Sequence, residues 1–161
     1  MTERNGRIKL RDEAPAVYRA MAAFDRSITL DPALRELVKI RASQLNGCAY
    51  CIEMHTRAAR AAGESEQRIY ALAAWRESPR FSQRERIALE LTDAVTRIGE
   101  NGVPDALYHA AAIEFAPTEL ANLILAITAI NAWNRVAVST SLVYSETATQ
   151  LASEPRAAQS A

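Results

Sequence analysis

The chain has 161 residues, with 19 basic Lys and Arg side chains balanced by 19 acidic Asp and Glu side chains. A chain of this length is expected to form one domain with a buried core rather than two domains. The zero net charge and a pI of about 6.7 exclude the basic footprint of a protein that binds nucleic acid or an anionic membrane, so neither partner is predicted.

Alanine is abundant, glycine is scarce at five residues, and no stretch alternates apolar and polar residues, which predicts an all-α fold. We expect a loose N-terminal arm over residues 1–13, a helical domain over 14–146 and a flexible polar tail over 147–161. The first residues, MTERNGRIKLRDEAP, contain no apolar signal segment, which predicts a reducing, cytoplasmic location.

Proline and capping signals predict where the helices begin. A short helix is expected from Pro15, with Val17, Met21 and Phe24 as its apolar contacts. Asp31-Pro32 predicts an N-cap and first turn for a helix that runs to about residue 45. Further helices are predicted over residues 48–62, 65–75, 82–98, 104–116 and 118–146. The apolar run 120–130 is shorter than the roughly 20 residues of a spanning helix and is predicted to lie in the core.

The segment NGCAYCIEMH, residues 46–55, contains both cysteines of the chain and one of its two histidines. On a helix, Cys48, Cys51 and His55 fall within roughly 60° of arc. His55 is placed to accept the thiol proton of Cys51, and Cys48 could then condense with an oxidised Cys51 to form a disulfide. The order of attack stays open, because Asn46-Gly47 predicts a turn that would put Cys48 at a helix N-terminus, where a thiol pKa is lowered.

Two other interpretations of this segment remain. The three side chains could be ligands of a metal site, although structural zinc requires a fourth ligand, or they could form an ordinary buried face. A dithiol redox site is favoured, because a cytosolic CxxC is typical of redox use. His109 has no cysteine partner and is predicted to be structural or solvent-facing.

Glu36, twelve residues before Cys48, completes the pattern E, eleven residues, C-x-x-C-x-x-x-H. This pattern resembles the alkylhydroperoxidase AhpD and carboxymuconolactone decarboxylase superfamily. The resemblance extends over ELVKIRASQLNGCAYCIEMHTRAAR, FSQRERIALELTDAVT and INAWNR. It implies an AhpD-like helical bundle and a peroxidase that reduces organic hydroperoxides without a metal or flavin. Glu36, Cys48, Cys51 and His55 match the proton relay and redox pair of the superfamily, in which Cys51 would become the sulfenic acid.

The chain departs from this superfamily in two respects. The AhpD enzymes proper carry a histidine within the CxxC, where this chain has Tyr50, and they contain a second helical repeat. The chain is more similar to the shorter, single-unit members. Decarboxylases of the superfamily lack the cysteine pair, which argues against lactone decarboxylation.

Helical periodicity and the resemblance disagree about Glu36. The apolar face of the predicted helix 32–45 leaves Glu36 on the opposite side, as a solvated carboxylate. The resemblance instead places it inside, where it would hold the ring of His55 in one tautomer.

The resemblance and the chemistry also predict partners. A disulfide formed in each cycle requires a dithiol electron donor, such as a lipoyl-bearing or thioredoxin-like protein. The short members of the superfamily are symmetric oligomers, so a homotrimer or homohexamer is expected. The alternatives are a non-enzymatic redox sensor or accessory protein that uses the same disulfide, and a metal-binding module.

Asn131, Asn134 and Arg135 interrupt an apolar helix, and we expect them to hydrogen-bond helix ends or a subunit interface.

Overall fold

The computed structural model describes residues 6–144. Within this range the chain forms eight α-helices and no β-strand, which confirms the predicted all-α fold. The helices are α1 (Leu10–Glu13), α2 (Pro15–Ser27), α3 (Pro32–Leu45), α4 (Ala49–Ala61), α5 (Glu66–Ala71), α6 (Gln83–Thr96), α7 (Asp105–Glu114) and α8 (Pro117–Ser139). A 3-10 turn, Leu72–Ala74, extends α5.

Helix α3 lies at the centre of the fold and packs against α4, α6 and α8. It begins as predicted, since the Asp31 side chain accepts a hydrogen bond from the Leu34 N–H and Pro32 occupies the first turn. Its apolar side chains contribute to three core clusters: one shared with α6, α7 and α8, one shared with α4, α5 and α6, and one in which Ala42 packs with the cysteines and α8. Members of these clusters include Leu34, Val38, Leu91, Leu123 and Ile127 in the first and Leu37, Ile40, Leu72 and Trp75 in the second.

A buried ion pair fixes α3 against α6. The Arg41 guanidinium donates to both carboxylate oxygens of Asp93, at 2.7 and 3.0 Å, and Arg76 donates to the same carboxylate at 2.6 Å. Burial by itself raises the pKa of Asp93, but the hydrogen bonds and charges of the two guanidinium groups outweigh it and lower that pKa below its ordinary value. Asp93 therefore stays ionised at neutral pH.

Helix α8 is long and apolar enough to cross a membrane by length and composition. In this fold it packs on α3 and α6, and residues along its length are buried in the core, among them Leu123, Ile127 and Ile130. The prediction of a core helix over 120–130 is confirmed. The helix ends at Ser139 rather than near residue 146.

The side chains through which helix α2 contacts the rest of the molecule differ from the predicted ones. Val17 is 64% exposed and Phe24 is 39% exposed, so these two expected contacts are wrong. The side chains that reach the body of the protein are Tyr18, which packs edge-on against Trp133 at a ring distance of 5.2 Å, and Asp25, which pairs with Lys39. An aromatic contact and an ion pair thus attach this helix to the body of the protein.

The described part of the predicted N-terminal arm is residues 6–13. This part contains the one-turn helix α1, and the Arg7 guanidinium donates to the carbonyl of Ser139 at 2.8 Å. The predicted tail, 147–161, lies outside the described residues.

Candidate active site

The connection between α3 and α4 places Cys48 at the start of α4. Gly47 has a φ of +65°, in the left-handed region that glycine adopts without strain, and the Cys48 N–H donates to the carbonyl of Ser43 at 3.0 Å. Cys48 is the N-cap of α4, and its Sγ accepts a hydrogen bond from the Cys51 N–H at 3.3 Å. The predicted turn at Asn46-Gly47 and the position of Cys48 at a helix N-terminus are both confirmed.

Cys48 and Cys51 form a disulfide, with a Cα–Cα distance of 5.4 Å. This distance is in the ordinary range for a disulfide. Each cysteine is only 1% exposed. Access to the two sulfur atoms therefore depends on the cavities beside them.

His55 lies one turn after Cys51 on α4 and contacts α3. Its Nδ1 is 2.8 Å from Oε2 of Glu36, and the two residues are 7% and 6% exposed. A carboxylate beside Nδ1 favours the tautomer that carries the proton there, which leaves Nε2 as the basic nitrogen of the ring. The pair has the arrangement of a base oriented by a carboxylate.

The Glu36 carboxyl is ionised in this environment. Burial by itself raises its pKa, but the hydrogen bond and charge of His55 oppose that effect. The positive charges of Lys39 and Arg35 act in the same direction as His55, so the pKa of Glu36 is lowered from its ordinary value. A carboxylate at this position can stabilise a positively charged imidazole.

The periodicity argument for Glu36 is wrong. Nine residues of α3 are buried, from Leu34 to Ser43, because α4, α6 and α8 cover the helix on several sides. A helix covered in this way has no continuous solvent face, so the position of a charged residue around it does not indicate exposure. The position implied by the resemblance is the one observed.

A second buried ion pair lies next to Glu36. The Lys39 ammonium is almost fully buried and contacts both carboxylate oxygens of Asp25, at 2.7 and 3.0 Å. Asp25 belongs to α2, so this pair attaches α2 to the central helix. This pair could not be predicted from the sequence, since a lysine and an aspartate 14 residues apart on different helices form no recognisable pattern.

A cavity of about 210 Å³ opens beside Cys51. Both Cys51 and His55 line it, and α2 forms one wall, so we call it the α2 cavity. Other lining side chains are Tyr18, Asp25, Met54 and Trp133. The walls are mostly apolar, with the imidazole and the carboxylate as polar groups.

A separate cleft of about 350 Å³ opens beside Cys48. We call it the Cys48 cleft. Its lining includes Gly47, Glu53, Val138 and Tyr144 but neither Cys51 nor His55. Each cysteine of the disulfide thus lines a different opening.

Tyr50, at the position of the histidine of AhpD enzymes, lies between the two openings and lines both. Burial, together with the neighbouring phenols of Tyr18 and Tyr144, raises the pKa of Tyr50 above its ordinary value. The phenol is therefore protonated at neutral pH and can donate a hydrogen bond, but it does not act as a base.

A network of three asparagines holds the turn before Cys48. The Asn46 side chain donates to Oδ1 of Asn131 at 2.9 Å and to Oδ1 of Asn134 at 2.8 Å, and Asn134 donates to the Ser43 hydroxyl at 3.0 Å. Asn46 is the C-cap of α3, so the expectation that Asn131 and Asn134 hydrogen-bond a helix end is confirmed. Arg135 donates to Oδ1 of Asn131 and joins the same network.

His109 is exposed on α7, with its ring beside that of Tyr108, in agreement with the predicted solvent-facing position. Among residues 6–144, no group of three or more His, Cys, Asp or Glu side chains is arranged to hold a metal ion.

Comparison with known proteins identifies the family. The model of the carboxymuconolactone decarboxylase family matches residues 15–94. The uncharacterized protein YdfG of Bacillus subtilis (strain 168) is 40% identical over 139 residues, which cover 86% of this chain and 95% of YdfG. The chain belongs to the carboxymuconolactone decarboxylase family. Its relation to AhpD-like proteins, inferred from the sequence motif, is also supported by solved structures.

The crystal structure of ATU0492 from Agrobacterium tumefaciens, a protein of unknown function provisionally described as the antioxidant defence protein AhpD, is similar with a TM-score of 0.82. The sequence identity is 38%, and the match covers 86% of this chain and 97% of ATU0492. An uncharacterized peroxidase-related protein from Ralstonia eutropha JMP134, described as an alkylhydroperoxidase AhpD core, has a TM-score of 0.75 at 18% identity, covering 85% of this chain and 75% of that one. At this identity the second comparison supports the fold alone.

Proposed function

We propose that the protein is a thiol-dependent peroxidase that reduces small organic hydroperoxides with Cys48 and Cys51. One observation carries the proposal: Cys51 and His55, the latter oriented by Glu36, line the same cavity. A thiol needs a base beside it to become the thiolate nucleophile, and the base needs a group that fixes its tautomer. Membership of a family with AhpD-like relatives supports the same reaction.

The oxidative half of the reaction starts from the dithiol. Nε2 of His55 accepts the Cys51 proton, and the thiolate attacks the terminal oxygen of the hydroperoxide. An S–O bond forms, the O–O bond breaks, and the alkoxide leaves as the alcohol after it takes the proton from the imidazolium. Glu36, ionised and buried, stabilises the imidazolium while it holds this proton.

The resolving step closes the disulfide. The Cys48 thiol attacks the sulfur of the Cys51 sulfenic acid, an S–S bond forms and water leaves. The disulfide present in the structure is the product of this step. Cys48 lies within the same first turn of α4, so resolution requires no movement between domains and limits over-oxidation of Cys51.

The walls of the α2 cavity favour an organic substrate. Tyr18, Met54 and Trp133 present apolar surface beside the reactive pair, and the cavity of about 210 Å³ accommodates a small alkyl or aryl group. Hydrogen peroxide would leave this surface uncovered. We therefore expect catalysis to be faster with small organic hydroperoxides than with hydrogen peroxide.

The cellular setting follows from the chemistry. Each turnover consumes the dithiol, so the enzyme requires a dithiol donor, of lipoyl or thioredoxin type, in a reducing cytoplasm.

Exposed apolar side chains on α7 and α8, including Tyr108, Ile113 and Leu125, support a homo-oligomer, for which a trimer or hexamer is our proposal. The mass of the particle in solution tests this proposal.

The peroxidase proposal is tested by counting free thiols and measuring intact mass before and after one equivalent of cumene hydroperoxide in metal-free buffer. The reduced wild-type protein should lose both thiols, and Cys48→Ser should accumulate a sulfenic acid on Cys51 that a dimedone probe captures. Cys51→Ser is the matched control and should not react with the probe. Unchanged thiols in the wild-type protein would overturn the proposal, and a single oxidation without steady-state turnover in the presence of dithiothreitol would favour a redox sensor.

A further inference from the structure

The Cys48 cleft and the α2 cavity divide the disulfide between two openings. The α2 cavity reaches Cys51 and His55, whereas the Cys48 cleft reaches Cys48 and is lined neither by Cys51 nor by the imidazole. The two openings share wall residues, Tyr50 among them. A thiol that enters the Cys48 cleft therefore meets a different cysteine from a peroxide that enters the α2 cavity.

We propose that the oxidised protein is reduced through the Cys48 cleft, so that the oxidant and the reductant use separate openings. This inference rests on the proposed peroxidase function and extends it to the reductive half of the cycle. The thiolate of an external dithiol attacks Sγ of Cys48, a new S–S bond forms and the Cys48–Cys51 bond breaks, with Cys51 leaving as the thiolate. The second thiol of the donor, as its thiolate, then displaces Cys48 from the mixed disulfide, and the donor leaves oxidised.

The direction of attack has a chemical advantage. The electron pair of the broken bond goes to Cys51, which shares its cavity with His55. The leaving sulfur is therefore regenerated beside the base that the next peroxide reaction uses. Attack on Cys51 would instead place the donor in the α2 cavity and release Cys48, which does not line the cavity that contains His55.

The Cys48 cleft also indicates which reductants fit. It is the larger opening, at about 350 Å³, and its wall contains the Glu53 carboxylate with the phenols of Tyr50 and Tyr144. The guanidinium of Arg57 lies 5.5 Å from the centroid of the Tyr144 ring, so both signs of charge are present at this cleft, and its size rather than its charge selects the reductant. The predicted partner is a small dithiol, either free or carried on a flexible arm of a protein.

Regiochemistry tests the proposal directly and does not require peroxide. The disulfide is formed with diamide, the oxidised wild-type protein is mixed with excess 2-mercaptoethanol, and N-ethylmaleimide quenches the reaction within milliseconds to seconds. Peptide mapping should find the mixed disulfide on Cys48 and maleimide on Cys51. A mixed disulfide mainly on Cys51 would overturn the proposal. This result does not depend on whether the dithiol reacts with hydroperoxides, so failure of the peroxidase function is recognised separately.

Two substitutions to tryptophan test whether the two reactions use separate openings. Val138→Trp fills the Cys48 cleft and Ala22→Trp fills the α2 cavity, since each residue lines one opening only. For each variant, the rate of disulfide reduction by dithiothreitol is divided by the rate of dithiol oxidation by cumene hydroperoxide. We expect this ratio to fall about tenfold in Val138→Trp and to rise about tenfold in Ala22→Trp, because each blocks access for one reaction.

Ile98→Trp is the control, since Ile98 is exposed and lines neither opening. Its ratio should equal that of the wild-type protein. Ratios that move in the same direction in both cavity variants would overturn the separate openings. If one variant fails to fold, the regiochemistry of the wild-type protein still decides the proposal.

Discussion

The Nδ1 atom of His55 lies 2.8 Å from the Oε2 atom of Glu36, and this contact joins the helix that carries both cysteines to the central helix of the fold. The ring is therefore held by its own helix on one side and by a buried carboxylate on the other. Its remaining nitrogen is left for proton transfer. The relationship gives Glu36 a positioning role that can be tested without disturbing the cysteines.

Glu36→Gln should slow the reaction of the dithiol with cumene hydroperoxide by about 100-fold, at the low end of the contribution of a positioned acid–base pair. The amide can donate to Nδ1, which would put the ring proton on Nε2 and remove the basic nitrogen. Stopped-flow measurement of thiol loss gives the rate, and its pH profile should change shape. Glu90→Gln, an exposed carboxylate, is the matched control. If Glu36→Gln and Glu90→Gln reacted with the hydroperoxide at the same rate and with the same pH profile, Glu36 would have no role in the mechanism.

Asp93→Asn should lower the free energy of unfolding by about 3 kcal/mol, the cost of leaving one partner of a buried ion pair without its counter-charge. The buried group that loses its partner is the guanidinium of Arg41. Urea denaturation followed by circular dichroism measures the change. Asp12→Asn changes an exposed carboxylate and should alter stability by less than about 0.5 kcal/mol. A loss as small as that of the control would show that the pair contributes little.

The Asp93 contribution should also depend on pH in a defined direction. Its pKa is lowered in the folded protein below the ordinary value of 3.8, so the unfolded chain binds the proton more readily than the folded one. The stabilisation is fully present above the ordinary pKa and is lost as the pH falls towards the lowered folded pKa. The difference in unfolding free energy between the wild-type protein and Asp93→Asn should therefore be constant from pH 5 to 7, about one unit or more above that value, and shrink below about pH 4. A difference that grows on acidification would contradict this assignment.

Asn134→Leu should lower the free energy of unfolding by about 2 kcal/mol, because it removes two buried hydrogen bonds, the one that Asn134 accepts from Asn46 and the one that it donates to Ser43. The change in volume is small, so the effect reports on hydrogen bonding rather than on a cavity. Chemical denaturation measures it. Asn101→Leu, on the surface, provides the comparison and should have little effect. Similar stabilities for both variants would mean that the network does not stabilise the turn.

Local chemistry explains the features that could be predicted from the sequence. The N-cap at Asp31 forms as expected, and Ser82 and Glu85 form a capping box where the helix predicted over 82–98 begins, because the groups involved lie within one turn of each other. The same holds for Cys48, Cys51 and His55, whose spacing along α4 brings them to one side of it.

Features that depend on tertiary packing could not be predicted in this way. The periodicity of α3 misplaces Glu36, because neighbouring helices cover α3 on several sides. The contact between Asn46 and Asn134 joins residues 88 positions apart, and neither residue type indicates its partner. The family resemblance identified Glu36, whereas only the three-dimensional structure identified the asparagine network and the Lys39–Asp25 pair.

Cys48 belongs to the redox pair and is also the N-cap of α4. Its Sγ caps the helix because it accepts the hydrogen bond of the Cys51 N–H. The positive end of a helix dipole stabilises a thiolate at this position, and that stabilisation is mutual. Whatever free energy the helix supplies to stabilise the thiolate, the thiolate returns to the helix by strengthening its first turn. The thiol pKa and the stability of the reduced protein therefore report the same free energy of interaction between the thiolate and the helix. The stability would be measured between pH 6 and 9, around the ordinary thiol pKa of about 8.5.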